Sequence, residues 1–87
     1  MATLMTRIQI SDYDAWKPMF DSDPHGVRVK STGERVLRLA EDPDELQVIV
    51  EFETTGDADE ARAKLLASGA LERVTVTMPP AVAADAG

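Results

Sequence analysis

The chain has 87 residues, a formal net charge of −7 and no cysteine, so it suits a single domain without disulfide bonds or thiolate metal sites. The negative charge repels phosphate backbones and anionic membrane surfaces, which excludes nucleic acid and membranes as partners. The first ten residues lack the pattern of a signal peptide, and no segment approaches the ~20 apolar residues that span a bilayer. We therefore expect a cytoplasmic protein.

The first predicted elements are a strand and a helix. The first segment has the period-two pattern of a strand, in which Leu4, Thr6, Ile8 and Ile10 alternate with Met5, Arg7 and Gln9. Ser11 then begins a sequence that resembles a capping box, with an aspartate in place of the usual glutamate. Tyr13, Trp16 and Phe20 follow at helical spacing, so the first helix is expected to begin at Ser11.

The segment after this helix allows two interpretations. Asp23-Pro24 and the following His25-Gly26 are turn sequences. Residues Val27–Ser31 then read either as a last helical turn ended by Gly33, or as a short strand, because apolar and polar residues alternate there. We favour the helical turn.

The second half of the chain contains three predicted strands and one helix. They are a strand at Arg35–Ala40, a turn at residues 41–44, a strand at Leu46–Glu53, a helix capped by Gly56-Asp57 and ended by Gly69, and a strand at Val74–Met78. Pro79-Pro80 is expected to end the last strand. We therefore predict one domain over residues 1–80 and a flexible tail over residues 81–87.

The order β-α-β-β-α-β predicts an α+β, ferredoxin-like fold, with two helices on one face of a four-stranded antiparallel sheet. If Leu37 faces the helices, then Val36 and Arg38 lie on the opposite face, beside Met5 and Ile49. One bulge would invert this assignment. That face is too apolar for a solvated surface and too polar for a dry core. Because so small a domain buries little surface alone, we predict a homodimer that pairs the two sheet faces into a barrel.

Two segments resemble the dimeric α/β-barrel superfamily of small bacterial proteins. They are Ile10–Asp21, with the sequence ISDYDAWKPMFD, and Arg38–Asp44, with the sequence RLAEDPD. The strand that ends in Glu51-Phe52 and the helix that contains Asp59–Ala61 also match. The resemblance extends from Ala2 to about Thr77. It implies a dimeric barrel, in a superfamily that includes cofactor-free antibiotic-biosynthesis monooxygenases, polyketide cyclases and haem-degrading monooxygenases. The most similar subgroup has no established activity.

The aromatic residues Tyr13, Trp16 and Phe20 are the main candidates for a binding site. Aromatic residues at helical spacing usually pack in the core. In this superfamily, however, the space between the first helix and the sheet binds flat apolar ligands, so the resemblance implies a pocket there. We therefore predict a small apolar or aromatic ligand bound by these residues, with His25 at the mouth of the pocket.

The candidates for catalysis are weaker. His25 is the only histidine, and histidine is the side chain whose unperturbed pKa lies nearest physiological pH, but a lone histidine in a loop is more often solvated. Tyr13 and Arg38 are further candidates, because Arg38 together with Arg7 and Glu51 could orient a carboxylate or an oxyanion. Cross-strand ion pairing is the simpler explanation for those charges. One histidine without cysteine supplies too few nitrogen and sulfur ligands for a zinc site, so we predict no metal site, and we also predict no cofactor. The alternative function is a cofactor-free monooxygenase or cyclase of secondary metabolism.

Overall fold

The structure is a computed structural model that describes residues 1–23 and 26–86. Its four strands and two helices follow one another in the predicted order. They are β1 (Ala2–Gln9), α1 (Tyr13–Ser22), β2 (Gly33–Arg38), β3 (Glu45–Phe52), α2 (Thr55–Ser68), a short 3₁₀ helix (Ala70–Arg73) and β4 (Thr75–Ala84). This arrangement confirms the predicted ferredoxin-like fold.

The sheet is antiparallel throughout and has the order β2-β3-β1-β4. The two central strands, β1 and β3, each alternate buried and half-buried residues along their length. One face of the sheet therefore carries the core. The buried apolar residues are Ala2, Leu4, Ile8, Leu46, Val48, Val50, Phe52, Ala58 and Ala61. Because Ala58 and Ala61 belong to α2, this helix seals part of that face directly.

The helix ends differ from the sequence expectation by one to three residues. Asp12, rather than Ser11, caps the start of α1, and its carboxylate accepts a 3.1 Å hydrogen bond from the backbone N–H three residues later. Thr54, rather than Gly56-Asp57, caps α2 in the same way. The reason is geometric, since a cap must precede the first helical residue and reach the third helical N–H. Gly69 ends α2 with φ of 76°, as predicted.

The segment that follows α1 is neither a helical turn nor a strand. Asp23, in the left-handed conformation with φ of 44°, ends α1, and Gly33 opens β2 instead of capping a helix. The Asp23 carboxylate accepts hydrogen bonds of 3.1 and 3.0 Å from the N–H groups of Val27 and Arg28. These bonds hold Val27–Lys30 as a turn, which neither periodicity argument anticipated.

The residues of β2 lie on the opposite sheet faces from those that the sequence predicts. Val36 pairs with Val48 and Arg38 pairs with Leu46, so Val36 and Arg38 are on the face that the helices cover. Leu37 lies on the opposite face and is 38% exposed. Residues 39–44 connect the two strands, and the register of their pairing determines the face of every residue in β2.

The last strand is longer than the sequence predicts. β4 runs through Pro79-Pro80 to Ala84, which pairs with Ala2 of β1. β4 is an edge strand with register shifts opposite residues 5–8 of β1, and edge strands tolerate prolines because one row of N–H groups has no strand partner. Residues 81–84, for which the sequence predicts a flexible tail, are therefore part of the sheet.

Candidate functional site: the cleft beneath the first helix

The helix α1 stands away from the sheet. None of its residues is buried, and among the described residues no Cα atom of another helix or strand lies within 8 Å of an α1 Cα atom. The helix touches the core only through the side chains of Tyr13, Trp16 and Phe20. Large rings on its inner face therefore hold the backbone of α1 away from the sheet.

An open cleft of about 1360 Å³ lies between α1 and the sheet. Its floor consists of residues from the covered face of the sheet, which are Leu4, Thr6, Ile8, Val48 and Val50. Trp16 and Phe20 form a wall on the α1 side, and Leu65, Leu71 and Val74 line the opposite side. This volume exceeds the ~300–1000 Å³ of typical small-molecule sites, because the cleft opens to solvent.

The wall of the cleft is an aromatic pair. The rings of Trp16 and Phe20 are stacked, with 4.9 Å between centroids and 22° between planes. Tyr13 follows at 6.0 Å from Trp16, but it is not among the residues that line the cleft. Two of the three aromatic residues singled out in the sequence therefore face the cleft, and the binding role of all three stays a prediction.

The catalytic candidates are placed as follows. Arg38 lies over the ring of Tyr13, with 4.2 Å between its guanidinium carbon and the ring centroid. Neither side chain lines the cleft. His25 lies outside the described residues. The predicted grouping of Arg38 with Arg7 and Glu51 is wrong, since the register puts Arg38 on the other face of the sheet.

Charged groups surround the apolar part of the cleft. Asp12, Asp42 and Asp44 line the end near the start of α1, where Asp42 accepts a 3.2 Å hydrogen bond from the side-chain amide of Gln9. Arg28 lines the end near the close of α1. No sequence pattern singles out Arg28 as a site residue. An isolated basic residue in a turn carries no sequence signal of its contacts, and only the folded chain brings it against Phe20.

The described part of the chain holds no group of three or more histidine, cysteine, aspartate or glutamate residues that could bind a metal ion. Its buried side-chain nitrogen and oxygen atoms all have hydrogen-bond partners. One example is Thr6 in the floor of the cleft, whose hydroxyl donates to the carbonyl of Met78 at 2.7 Å. No helix in the residues described is long and apolar enough to cross a membrane.

The second face of the sheet is not covered by either helix. We call it the open sheet face, and it consists of Thr3, Met5, Arg7, Gln9, Arg35, Leu37, Gln47, Ile49 and Glu51. Arg7 donates two hydrogen bonds of 3.0 and 3.1 Å to the side-chain oxygen of Gln47. The open sheet face therefore combines an ordered polar pair with half-exposed apolar residues.

These features define a ferredoxin-like domain with an open cleft under its first helix, and comparison with known proteins supports the fold. No protein-family model and no curated protein matches the chain. Rv0793 of Mycobacterium tuberculosis is similar in structure, with a TM-score of 0.61 at 16% identity over 99% of this chain and 98% of that one. A proposed antibiotic biosynthesis monooxygenase of Chloroflexus aurantiacus J-10-fl has a TM-score of 0.63 at 11% identity, over 99% and 93%.

A third similar structure is the protein Atu4242 of Agrobacterium tumefaciens, with a TM-score of 0.61 at 15% identity over 99% of this chain and 94% of that one. The three proteins match over nearly the whole of both chains. At these identities the likeness shows the shared ferredoxin-like fold, as the sequence resemblance implied.

Proposed function

We propose that the chain binds a small, flat, apolar or aromatic molecule in the cleft between α1 and the sheet. The observation that carries this proposal is the stacked pair of Trp16 and Phe20, which faces an apolar floor across open space. A flat aromatic ligand could stack on these rings in an offset arrangement, which adds to the free energy of burying its surface.

The lining supports an apolar rather than a polar ligand. The floor contributes four aliphatic side chains and Thr6, and the Thr6 hydroxyl already donates to the main chain. Apolar pockets with a few placed polar groups are the usual form of small-molecule sites. The charged residues of the lining belong to the loops and the 3₁₀ helix around the sheet, and none of them belongs to the apolar floor.

The binding proposal can be tested with N-phenyl-1-naphthylamine, an uncharged aromatic probe whose fluorescence rises in apolar surroundings. The folded protein should enhance its emission, and Trp16→Ala should abolish the enhancement. Leu66→Ala is the matched control, because Leu66 is a large apolar residue that is 50% exposed on α2 and does not line the cleft. Absence of enhancement with the wild type would contradict the proposal.

We also propose that two copies of the chain associate through the open sheet face. Apolar residues from three strands, Met5, Leu37 and Ile49, lie on this face outside the helix-covered core. An 87-residue chain has a small core and gains apolar burial by association. A second copy would supply a face of the same mixed composition, as in the dimeric barrels that the sequence resembles.

Light scattering at micromolar concentration tests this assembly. The wild type should have the mass of a dimer, and Ile49→Glu should have that of a monomer, because it buries an unpaired charge in the interface. Leu66→Glu adds the same charge on the exposed side of α2 and should leave the dimer intact. Circular dichroism should show that both variants keep the fold. A monomeric wild type would overturn the proposal.

The alternative function is a cofactor-free monooxygenase or cyclase, which the fold shared with the proposed monooxygenase of Chloroflexus aurantiacus supports. Oxygen uptake with a polycyclic phenol tests the oxygenase form of this proposal. Activity should exceed that of heat-denatured protein and should fall in His25→Gln or Tyr13→Phe, the predicted catalytic candidates. Binding of the apolar probe without oxygen uptake would favour the binding function.

A further inference from the structure

Arg28 has an unusual position for a charged residue in a surface turn. Its side chain is only 10% exposed. It donates hydrogen bonds to the carboxylate of Glu34 in β2 and to the main-chain carbonyl of Phe20 in α1. Its guanidinium group also lies 3.8 Å from the carboxylate of Asp23, the residue that ends α1. Arg28 therefore joins the end of α1 to the edge of the sheet.

The same guanidinium group packs on the aromatic wall of the cleft. The guanidinium carbon of Arg28 is 3.9 Å from the ring centroid of Phe20. The Phe20 ring is in turn stacked on Trp16. A cation at this distance from a ring centroid makes a favourable cation–π contact. A continuous line of contacts thus runs from Glu34 through Arg28 and Phe20 to Trp16.

We propose that Arg28 is the positioning residue that sets the placement of the Trp16–Phe20 wall over the cleft. α1 has no buried residue and no backbone close to another element, so its distance from the sheet depends on side-chain contacts. The carbonyl of Phe20 is in the last turn of α1, where it accepts a 3.2 Å hydrogen bond from the N–H of Asp23. Arg28 adds a second hydrogen bond to that carbonyl and also contacts the ring of the same residue.

The chemistry of this site requires arginine. The planar guanidinium group can stack on a ring while its several N–H groups bond in different directions, whereas the lysine ammonium is a compact point charge without a stacking face. The variant Arg28→Lys should therefore keep the positive charge but lose the combination of stacking and hydrogen bonding. A purely electrostatic role would survive that substitution, and a positioning role would not.

The test uses the variants Arg28→Met and Arg28→Lys. Trp16 is the only tryptophan in the chain, so its emission and its quenching by acrylamide report directly on the wall. Both variants should shift the Trp16 emission and increase its quenching. Both should also weaken binding of N-phenyl-1-naphthylamine by about tenfold, a change within the range of a lost, partly desolvated cation–π contact.

Arg62→Met is the matched control. Arg62 also donates to a main-chain carbonyl, that of Pro80 at 2.8 Å, but it lies on α2. Arg62→Met should leave the Trp16 emission, its acrylamide quenching and the probe affinity at wild-type values. Unchanged Trp16 quenching in Arg28→Met, or full recovery in Arg28→Lys, would overturn the positioning role.

A second variant covers the case in which the Arg28 variants do not fold. Glu34→Gln keeps Arg28 and its ring contact but weakens the ion pair with β2, so it should produce a smaller change in Trp16 quenching with the same sign. If it leaves quenching unchanged, the link from β2 to the wall is refuted. The affinity part of the inference rests on the proposed binding function. If the wild type binds no probe, that function fails, while Trp16 quenching still decides the role of Arg28.

Discussion

The two helices lie on the same face of the sheet but attach to it in different ways. α2 places Ala58 and Ala61 against the strands, and both are buried. The inner face of α1 carries rings, and no residue of α1 is buried. Small side chains let a helix backbone approach closely, whereas large rings act as spacers. The difference shows that the size of the inward side chains decides whether a helix seals the core or leaves a cleft.

The two helices should also differ in local stability. Segments with few buried contacts open more readily than segments that are packed into the core. α1 is attached through side chains, namely its rings, Arg28 and the contact of Arg73 with Met19, while the backbone of α2 lies close to β1, β3 and β4. The following substitutions test this contrast, beginning with the one that should have the largest effect.

Phe52→Ala should reduce the free energy of unfolding by about 3–5 kcal/mol, the usual cost of emptying a packed aromatic site. Phe52 is fully buried, at 0% exposure, in the cluster that also contains the α2 alanines. Urea unfolding at neutral pH measures the loss. Leu66→Ala, at an exposed position of α2, should cost far less. A similar cost for both would show that this part of the domain is not tightly packed.

Ala61→Leu should destabilise the protein by about 1–3 kcal/mol, because α2 has no space for a larger side chain against the sheet. Ala61 is 3% exposed. The same substitution at Ala15, an exposed residue of α1 at the cleft, should change the free energy of unfolding by no more than about 0.5 kcal/mol. Thermal unfolding of the two variants compares the helices directly. Equal losses would mean that α1 is also packed closely.

Trp16→Ala should cost about 1–2 kcal/mol, which is less than the loss of a fully packed aromatic side chain. The reason is that one side of Trp16 already faces the open cleft. Urea unfolding monitored by circular dichroism measures the change without relying on tryptophan fluorescence. A loss of about 3–5 kcal/mol would place Trp16 in a solid core and would contradict the cleft.

The smallest expected effect involves Lys30, which connects the turn after α1 to α2. Its ammonium lies 3.2 Å from the carboxylate of Glu60, and this hydrogen bond lowers the pKa of Glu60 below its ordinary 4.5 and raises the pKa of Lys30 above 10.5. The stabilising contribution is therefore complete between these two ordinary values. It is lost as the pH falls through the lowered pKa of Glu60, and as it rises through the raised pKa of Lys30.

Glu60→Gln should accordingly have a slightly lower melting temperature than the wild type at pH 7, and the difference should disappear at strongly acidic pH. Lys30→Gln removes the same pair from the other side and should show the same acid dependence. High salt should shrink both differences, because the pair is exposed. A difference that stays constant from neutral to acidic pH would show that the pair does not contribute.

Much of the fold could be predicted from local patterns. Alternation in the strands, the ring spacing in α1 and Gly69 after α2 each act over a few residues, and these predictions were confirmed. The first helix cap was misplaced by one residue, because Ser11 and Asp12 are both good capping residues and only the start of the helix decides between them. Trp16 and Phe20 could be selected for the site because helical spacing puts them on one side of α1.

Tertiary structure decided the features that depend on distant parts of the chain. The pairing of β2 with β3 determined which side Leu37 and Arg38 occupy, and the edge position of β4 let that strand continue through Pro79-Pro80. The gap beneath α1 and the contact of Arg28 with Phe20 arise only when the turn, the helix and the sheet meet. Sequence by itself determined the elements and their order, because these follow from interactions between near neighbours. The register of β2, the cleft beneath α1 and the contact of Arg28 with Phe20 follow from packing between segments that are far apart in the chain. No local pattern encodes that packing.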